Sequence, residues 1–162
     1  MKFGGHYLLG APRAAVWSAL NDADVLKRTI PGCKSIVWTG PDTLALDIQV
    51  NLGLVKPVFS GDLALSDVHP AGHYRLAGKG RGGLLGLAEG AAEITLSDQD
   101  GGTRLDFTAS GGASGQIMKL GRSLIGNSAQ KVIDGFFQRF AAAMGTSLVV
   151  IAPAPSTGNE PA

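Results

Sequence analysis

Two hydrophobic periods divide this sequence, and their order limits what it can fold into. In residues 43–52, Leu44, Leu46, Ile48, Val50 and Leu52 alternate with Thr43, Ala45, Asp47, Gln49 and Asn51. That period of two is the mark of a strand with one buried face. It returns in residues 58–68, where Phe59, Leu63 and Leu65 oppose Ser60, Asp62 and Ser66, and again in 73–79, 91–97 and 105–109. Over residues 116–144 the spacing changes. Met118, Ile125, Ala129, Val132, Ile133, Phe136 and Phe140 fall on one side of a helix, and Ser123, Asn127, Gln130, Lys131, Asp134 and Gln138 on the other. A run of strands closed by one long amphipathic helix predicts an α+β fold with an antiparallel sheet whose concave face the helix covers.

The front of the chain adds a first strand over residues 3–9 and two short helices. Pro12 stands near the start of the first helix, where its missing N–H is harmless, and Val16, Trp17 and Leu20 give the helical spacing. Asp22 or Asp24 caps the second helix, which must end before Pro31. Residues 100–103, DGGT, predict a hairpin turn, and Gly145 a helix stop. The Pro-rich stretch 146–162 reads as a disordered tail, leaving 1–145 as one domain.

Composition narrows the function. Lys and Arg number 14 against 13 Asp and Glu, a balance that argues against a nucleic-acid binder. A single cysteine cannot form an internal disulfide. No window approaches the ~20 apolar residues of a membrane-spanning helix, and the N-terminus lacks the pattern of a signal peptide, so the expected location is the cytoplasm. Glycine is abundant, with 11 of 24 falling in residues 78–115 among predicted strands. There it predicts bends, bulges or close backbone approach in a curved sheet. Low aromatic content, 6%, together with this glycine, favours an unfilled space between sheet and helix.

Motifs that could carry chemistry fail on context. Residues 78–83, GKGRGG, match G-x-G-x-x-G, but the glycine-broken segment that follows leads to a strand rather than a helix N-terminus, so no phosphate site is predicted. His69 and His73 are separated by Pro70 and Gly72 and cannot share a helix face as metal ligands, and His6 is remote in sequence. No residue is placed by sequence to activate Cys33, which reads as a small semi-apolar plug below the Pro31–Gly32 turn. No catalytic residue, metal ligand or intrinsic cofactor is predicted.

The ordered set APRAAVW (11–17), LND (20–22), Val25–Leu26, IPGC (30–33), VFSG (58–61), Tyr74-Arg-Leu76 with Gly78 and Gly80, and Phe136–Phe137 resembles the CoxG family of carbon monoxide dehydrogenase subunits. That family belongs to the helix-grip, START-like or SRPBCC, superfamily. The resemblance covers residues 1 to about 145 and implies a seven-stranded antiparallel sheet around a long C-terminal helix, with a deep hydrophobic cavity between them. It also implies a non-catalytic accessory role beside a molybdenum-containing hydroxylase, linking that enzyme to the membrane and its quinone pool. The proline-rich tail departs from members with a hydrophobic C-terminal segment and leaves only transient contact with the inner face of the cytoplasmic membrane. The expected partner is a lipophilic small molecule, with a bound quinone, menaquinone or ubiquinone, foremost. Candidate cavity residues are Trp17, Leu20, Phe59, Leu63, Tyr74, Phe107, Ile125, Val132, Phe136 and Phe140. Residues 78–90 are a candidate mobile portal. Two other readings stand beside this one: an assembly or membrane-recruitment factor acting through its surface, and a small polyketide-cyclase-like enzyme.

Overall fold

The computed structural model describes residues 1–151. The order is β1 (Lys2–Leu9), α1 (Arg13–Leu20), α2 (Ala23–Thr29), β2 (Cys33–Gly40), β3 (Thr43–Gln49), β4 (Val58–His69), β5 (His73–Arg81), β6 (Leu87–Gln99), β7 (Gly102–Ser114), α3 (Arg122–Met144) and β8 (Leu148–Val150). The strands pair antiparallel in one sheet of order β2-β3-β4-β5-β6-β7-β1-β8. The helices α1 and α2 carry the chain from β1, near one edge, to β2 at the other. This is the helix-grip architecture, an α+β fold with a long sheet wrapped around the C-terminal helix.

Local chemistry sets the boundaries. Asp22 Oδ1 accepts hydrogen bonds from the backbone N–H of Asp24 at 2.9 Å and of Val25 at 3.4 Å, capping α2. That helix ends at Thr29, before Pro31. Gly32 follows with φ +80°, and its carbonyl accepts from Gln49 N–H at 2.8 Å. A Cβ at Gly32 would lie 2.1 Å from Gln49 O, so only glycine fits this turn. Asp100 and Gly101, with φ of 52° and 78°, form the two-residue turn between the paired Gln99 and Gly102.

Three expectations are corrected. Among the described residues the sheet has eight strands, because Leu148–Val150 pairs with Tyr7–Leu9 and covers an edge that β1 would otherwise leave open. Ile151 N–H donates to His6 O at 2.8 Å. The disordered tail expected from 146 is therefore ordered through 151, and 152–162 lie outside the described residues. The helix expected from 116 begins at Arg122: Gly121, with φ +90°, separates it from a 3-10 turn over Gln116–Leu120, which leaves Met118 exposed.

The main core lies under the C-terminal half of α3. Phe137 stacks on Tyr7 at 4.2 Å between ring centroids and meets Phe107 edge-on at 5.5 Å. Leu9, Val16, Leu105 and Phe140 have no solvent exposure around it. A second cluster joins Leu26 of α2 to Ile36 and Leu44, and a third joins Leu52, Phe59 and Ile117 at the other end.

Candidate functional site

The space between sheet and helix comes from what the strands omit. Alternation directs Phe59, Gly61, Leu63 and Leu65 of β4 inward, with Tyr74, Leu76, Gly78 and Gly80 of β5, Ala88, Gly90, Ala92 and Ile94 of β6, and Phe107, Ala109, Gly111 and Ala113 of β7. Register then lines up the small residues. Gly61 pairs with Gly80, Gly80 with Ala88, and Ala88 with Ala113, while one rung away Gly78 pairs with Gly90 and Gly90 with Gly111. Across these two rungs the inner face has almost no side-chain bulk. Some of these glycines also serve close approach, since a Cβ at Gly61 would lie 2.3 Å from Lys79 O.

Above them, Ile125, Ser128, Ala129, Val132 and Ile133 of α3 roof a chamber of about 490 Å³ that opens to solvent. Phe3, Leu46, Ile48, Leu52, Phe59, Leu63 and Phe107 form much of its walls. A smaller chamber of about 210 Å³ lies toward α1 and α2, bounded by Leu20, Asn21, Leu26, Ile30, Ile36, Trp38, Tyr74, Phe136 and Phe137. Leu63, Leu76, Phe107, Val132 and Ile133 line both and form the waist between them. Volumes of this size and lining suit a largely apolar small molecule. A more open hollow of about 720 Å³ on the outer face is bordered by Asp62, Lys79, Arg81 and Glu89 and is more polar than either chamber.

Of the ten residues expected at a cavity, Phe59, Leu63, Phe107, Ile125 and Val132 line the larger chamber. Leu20, Tyr74 and Phe136 line the smaller one, as do Leu63, Phe107 and Val132. Trp17 and Phe140 line neither: Trp17 meets Tyr74 edge-on at 5.2 Å, and Phe140 is sealed in the core beside Phe136. Sequence reasoning favours bulky residues and so misses Trp38 and Ile36, and above all the Gly and Ala rungs. Pairing the alternating strands outward from the 100–101 hairpin aligns those rungs. Within the candidate portal segment 78–90, only 82–86 lies outside the sheet, with a 3-10 turn over Gly83–Leu85, and the rest is paired strand.

Polar side chains inside the chambers are few. Ser128, 8% exposed, is the hydroxyl on the roof of the larger chamber, and Asn21 and Tyr74 belong to the smaller. Asn21 Nδ2 donates to Trp17 O at 2.9 Å, and Trp38 Nε1 donates to Asn21 O at 3.2 Å. Cys33 is half-buried, its Sγ donating to Ser35 O at 3.4 Å, and burial pushes the thiol pKa up, away from the reactive thiolate. Among the described residues no group of three or more His, Cys, Asp or Glu could hold a metal, and no helix is long and apolar enough to cross a membrane.

Among solved structures, a conserved protein from Geobacillus kaustophilus is 27% identical with a TM-score of 0.79, over 91% of this chain and 99% of that one. The Zhui aromatase/cyclase from Streptomyces sp. R1128 is 14% identical with a TM-score of 0.67, over 90% and 93%. Ara h 8.0201 is likewise 14% identical, with a TM-score of 0.63 over 89% and 97%. The last two likenesses concern the fold alone. A comparison with curated proteins finds no match. The family model for CoxG, a carbon monoxide dehydrogenase subunit, matches residues 5–145. With that match spanning the grip helix and nearly all of the strands and chamber walls, the chain belongs to the CoxG family of helix-grip proteins.

Proposed function

We propose that this protein is a non-catalytic accessory protein of a molybdenum hydroxylase of the carbon monoxide dehydrogenase type. It carries a lipophilic ligand, a respiratory quinone foremost, and links the enzyme to membrane electron transport. The observation that carries this reading is the pair of joined chambers, lined chiefly by Leu, Ile, Val, Phe, Ala and Gly. An isoprenoid chain gains roughly 0.8 kcal/mol per CH₂ buried in such a lining. The family description supplies the link to carbon monoxide dehydrogenase. Catalysis of the cyclase kind would need acid and base groups facing the substrate, and Ser128, Asn21 and Tyr74 make no such pair.

A surface on the same end as the larger chamber supports a route to the membrane. The segments 50–57, 81–88 and 114–125 meet around Leu52, Leu85 and Ile117, expose Leu54, Val55, Leu84 and Met118, and contain Lys56, Arg81, Lys119 and Arg122 with no acidic residue. Exposed apolar residues in segments that carry cations and no acids suit transient contact with an anionic, inner-leaflet surface.

Organic extraction of the purified protein followed by mass spectrometry tests the reading, with reconstitution using menaquinone and ubiquinone. Recovery or uptake of a quinone is expected. Finding no lipid and no uptake overturns it. In a pull-down, a chamber-filled variant that still supports the enzyme as well as wild type would favour the surface-acting assembly factor.

A further inference from the structure

The smaller chamber holds a hydroxyl with nothing to bond. Tyr74, on the inner face of β5, is 4% exposed, and no group among the described residues lies in hydrogen-bond geometry with its hydroxyl. Burial pushes its pKa well above the usual range, so the group keeps its proton and stands as a donor at any physiological pH. Buried polar groups are nearly always satisfied, and a bridging water needs two to four polar partners. Among the described residues the other polar side-chain groups at the chamber are the Trp38 Nε1–H, which donates to Asn21 O, and the Asn21 amide. The amide Nδ2 donates to Trp17 O, and its Oδ1 accepts from no described group.

The two chambers also differ in chemistry. Trp38, Tyr74, Phe107, Phe136 and Phe137 give the smaller one an aromatic wall, while the larger is chiefly aliphatic and floored by glycine and alanine. A cavity of about 150 Å³ admits benzene, so about 210 Å³ has room for a small ring with its oxygens. Ser128 is the rival polar contact, but a helical serine can turn its hydroxyl back to the carbonyl four residues earlier. Tyr74, on a strand, has no such recourse.

We propose, building on the lipophilic-carrier reading above, that the ligand sits head inward. A planar ring bearing a carbonyl oxygen occupies the smaller chamber and accepts a hydrogen bond from the Tyr74 hydroxyl, while its apolar chain runs through the Leu63–Val132 waist into the larger chamber.

The test compares a prenylated methyl-naphthoquinone with the matching prenylated methyl-naphthalene on wild type, Tyr74→Phe and Ser128→Ala. Affinity is read by tryptophan quenching, and the quinone carbonyl stretch by infrared difference spectra with carbon-13 carbonyls. In wild type the carbonyl band shifts down on binding. Tyr74→Phe abolishes that shift and weakens the quinone about tenfold while leaving the naphthalene unaffected. The ligand-free Tyr74→Phe protein unfolds at the wild-type temperature or above it, because the lost hydroxyl had no partner. Unchanged quinone affinity and band position in Tyr74→Phe overturn the proposal, as does a band that responds to Ser128→Ala alone. Wild type binding the naphthalene as well as the quinone overturns the head contact and leaves the carrier reading standing. Binding of neither probe overturns both.

Discussion

Gly78 faces Leu63 across β4 and β5, and a Cβ placed on Gly78 would stand 2.5 Å from Leu63 Cδ2 and 2.8 Å from Asp62 O. Leu63 lines both chambers, so this glycine sets where the waist side chain can lie. Gly78→Ala should cost about 1–3 kcal/mol through overpacking. Thermal unfolding measures the cost, and ligand titration of the same variant shows whether the displaced Leu63 narrows the waist.

Val132 faces the cavity from the opposite side. It lines both chambers without being fully buried, so a larger side chain can occupy open space rather than collide with core. Val132→Phe should reduce quinone uptake at least tenfold, about 1.4 kcal/mol or more, with unfolding within a few degrees of wild type. An equilibrium titration beside a melting curve separates lost binding from lost fold.

Phe137 is 2% exposed and is held by Tyr7, Phe107 and Phe136. Phe137→Ala should therefore cost about 3–5 kcal/mol. Removing the α2 cap with Asp22→Ala should cost about 1 kcal/mol. Denaturant unfolding of the two variants should rank them clearly apart.

The outer face carries a pH-dependent contact. His73 Nε2 lies 2.6 Å from Glu93 Oε2, and its Nδ1 is 3.1 Å from Asp67 O, an arrangement that suits an imidazolium donating on both sides. The hydrogen bond to Glu93 raises the His73 pKa, and the same bond lowers that of Glu93. A raised histidine pKa gives stabilisation that is full below about pH 6.5 and disappears as pH rises through the folded value. The lowered carboxylate value gives stabilisation that is present above about pH 4.3 and disappears as pH falls through its own folded value. Melting temperatures should thus be favoured between those limits, modestly because the pair is partly exposed. His73→Gln should flatten the fall on the alkaline side.

Burial and the raised thiol pKa make Cys33 a slow nucleophile. Iodoacetamide at neutral pH should modify it more slowly than free glutathione, and Cys33→Ala should leave both fold and ligand uptake intact.

The architecture is legible in the sequence because each strand keeps its period and each helix its stop. Leu44 to Ile48, the Asp22 cap, the helix stop before Pro31 and the Asp100–Gly101 hairpin each act through neighbours in sequence. Met118 misleads because its apolar character fits the helical stripe, whereas one backbone angle at Gly121 decides that the helix starts later. Leu148–Val150 resembles the start of a tail because a three-residue strand has no period of its own and exists only through pairing with Tyr7–Leu9. The chambers are harder still. Ile125 and Val132 announce themselves as apolar, but Gly90 beside Gly111 becomes a floor only when β6 and β7 are placed in register.

A floor made by omission works as a graded ruler. Ala88, Gly90, Ala92, Ala109, Gly111 and Ala113 lie on adjacent strands beneath the larger chamber, each within one or two carbons of its neighbour in size. Exchange between glycine and alanine at these positions would change the depth of the chamber by one methyl, and exchange of alanine for valine by two carbons more, leaving the helix and the aromatic end untouched. On the carrier reading proposed above, the sheet would set the length of chain accepted, and the opposite end of the grip the ring preferred.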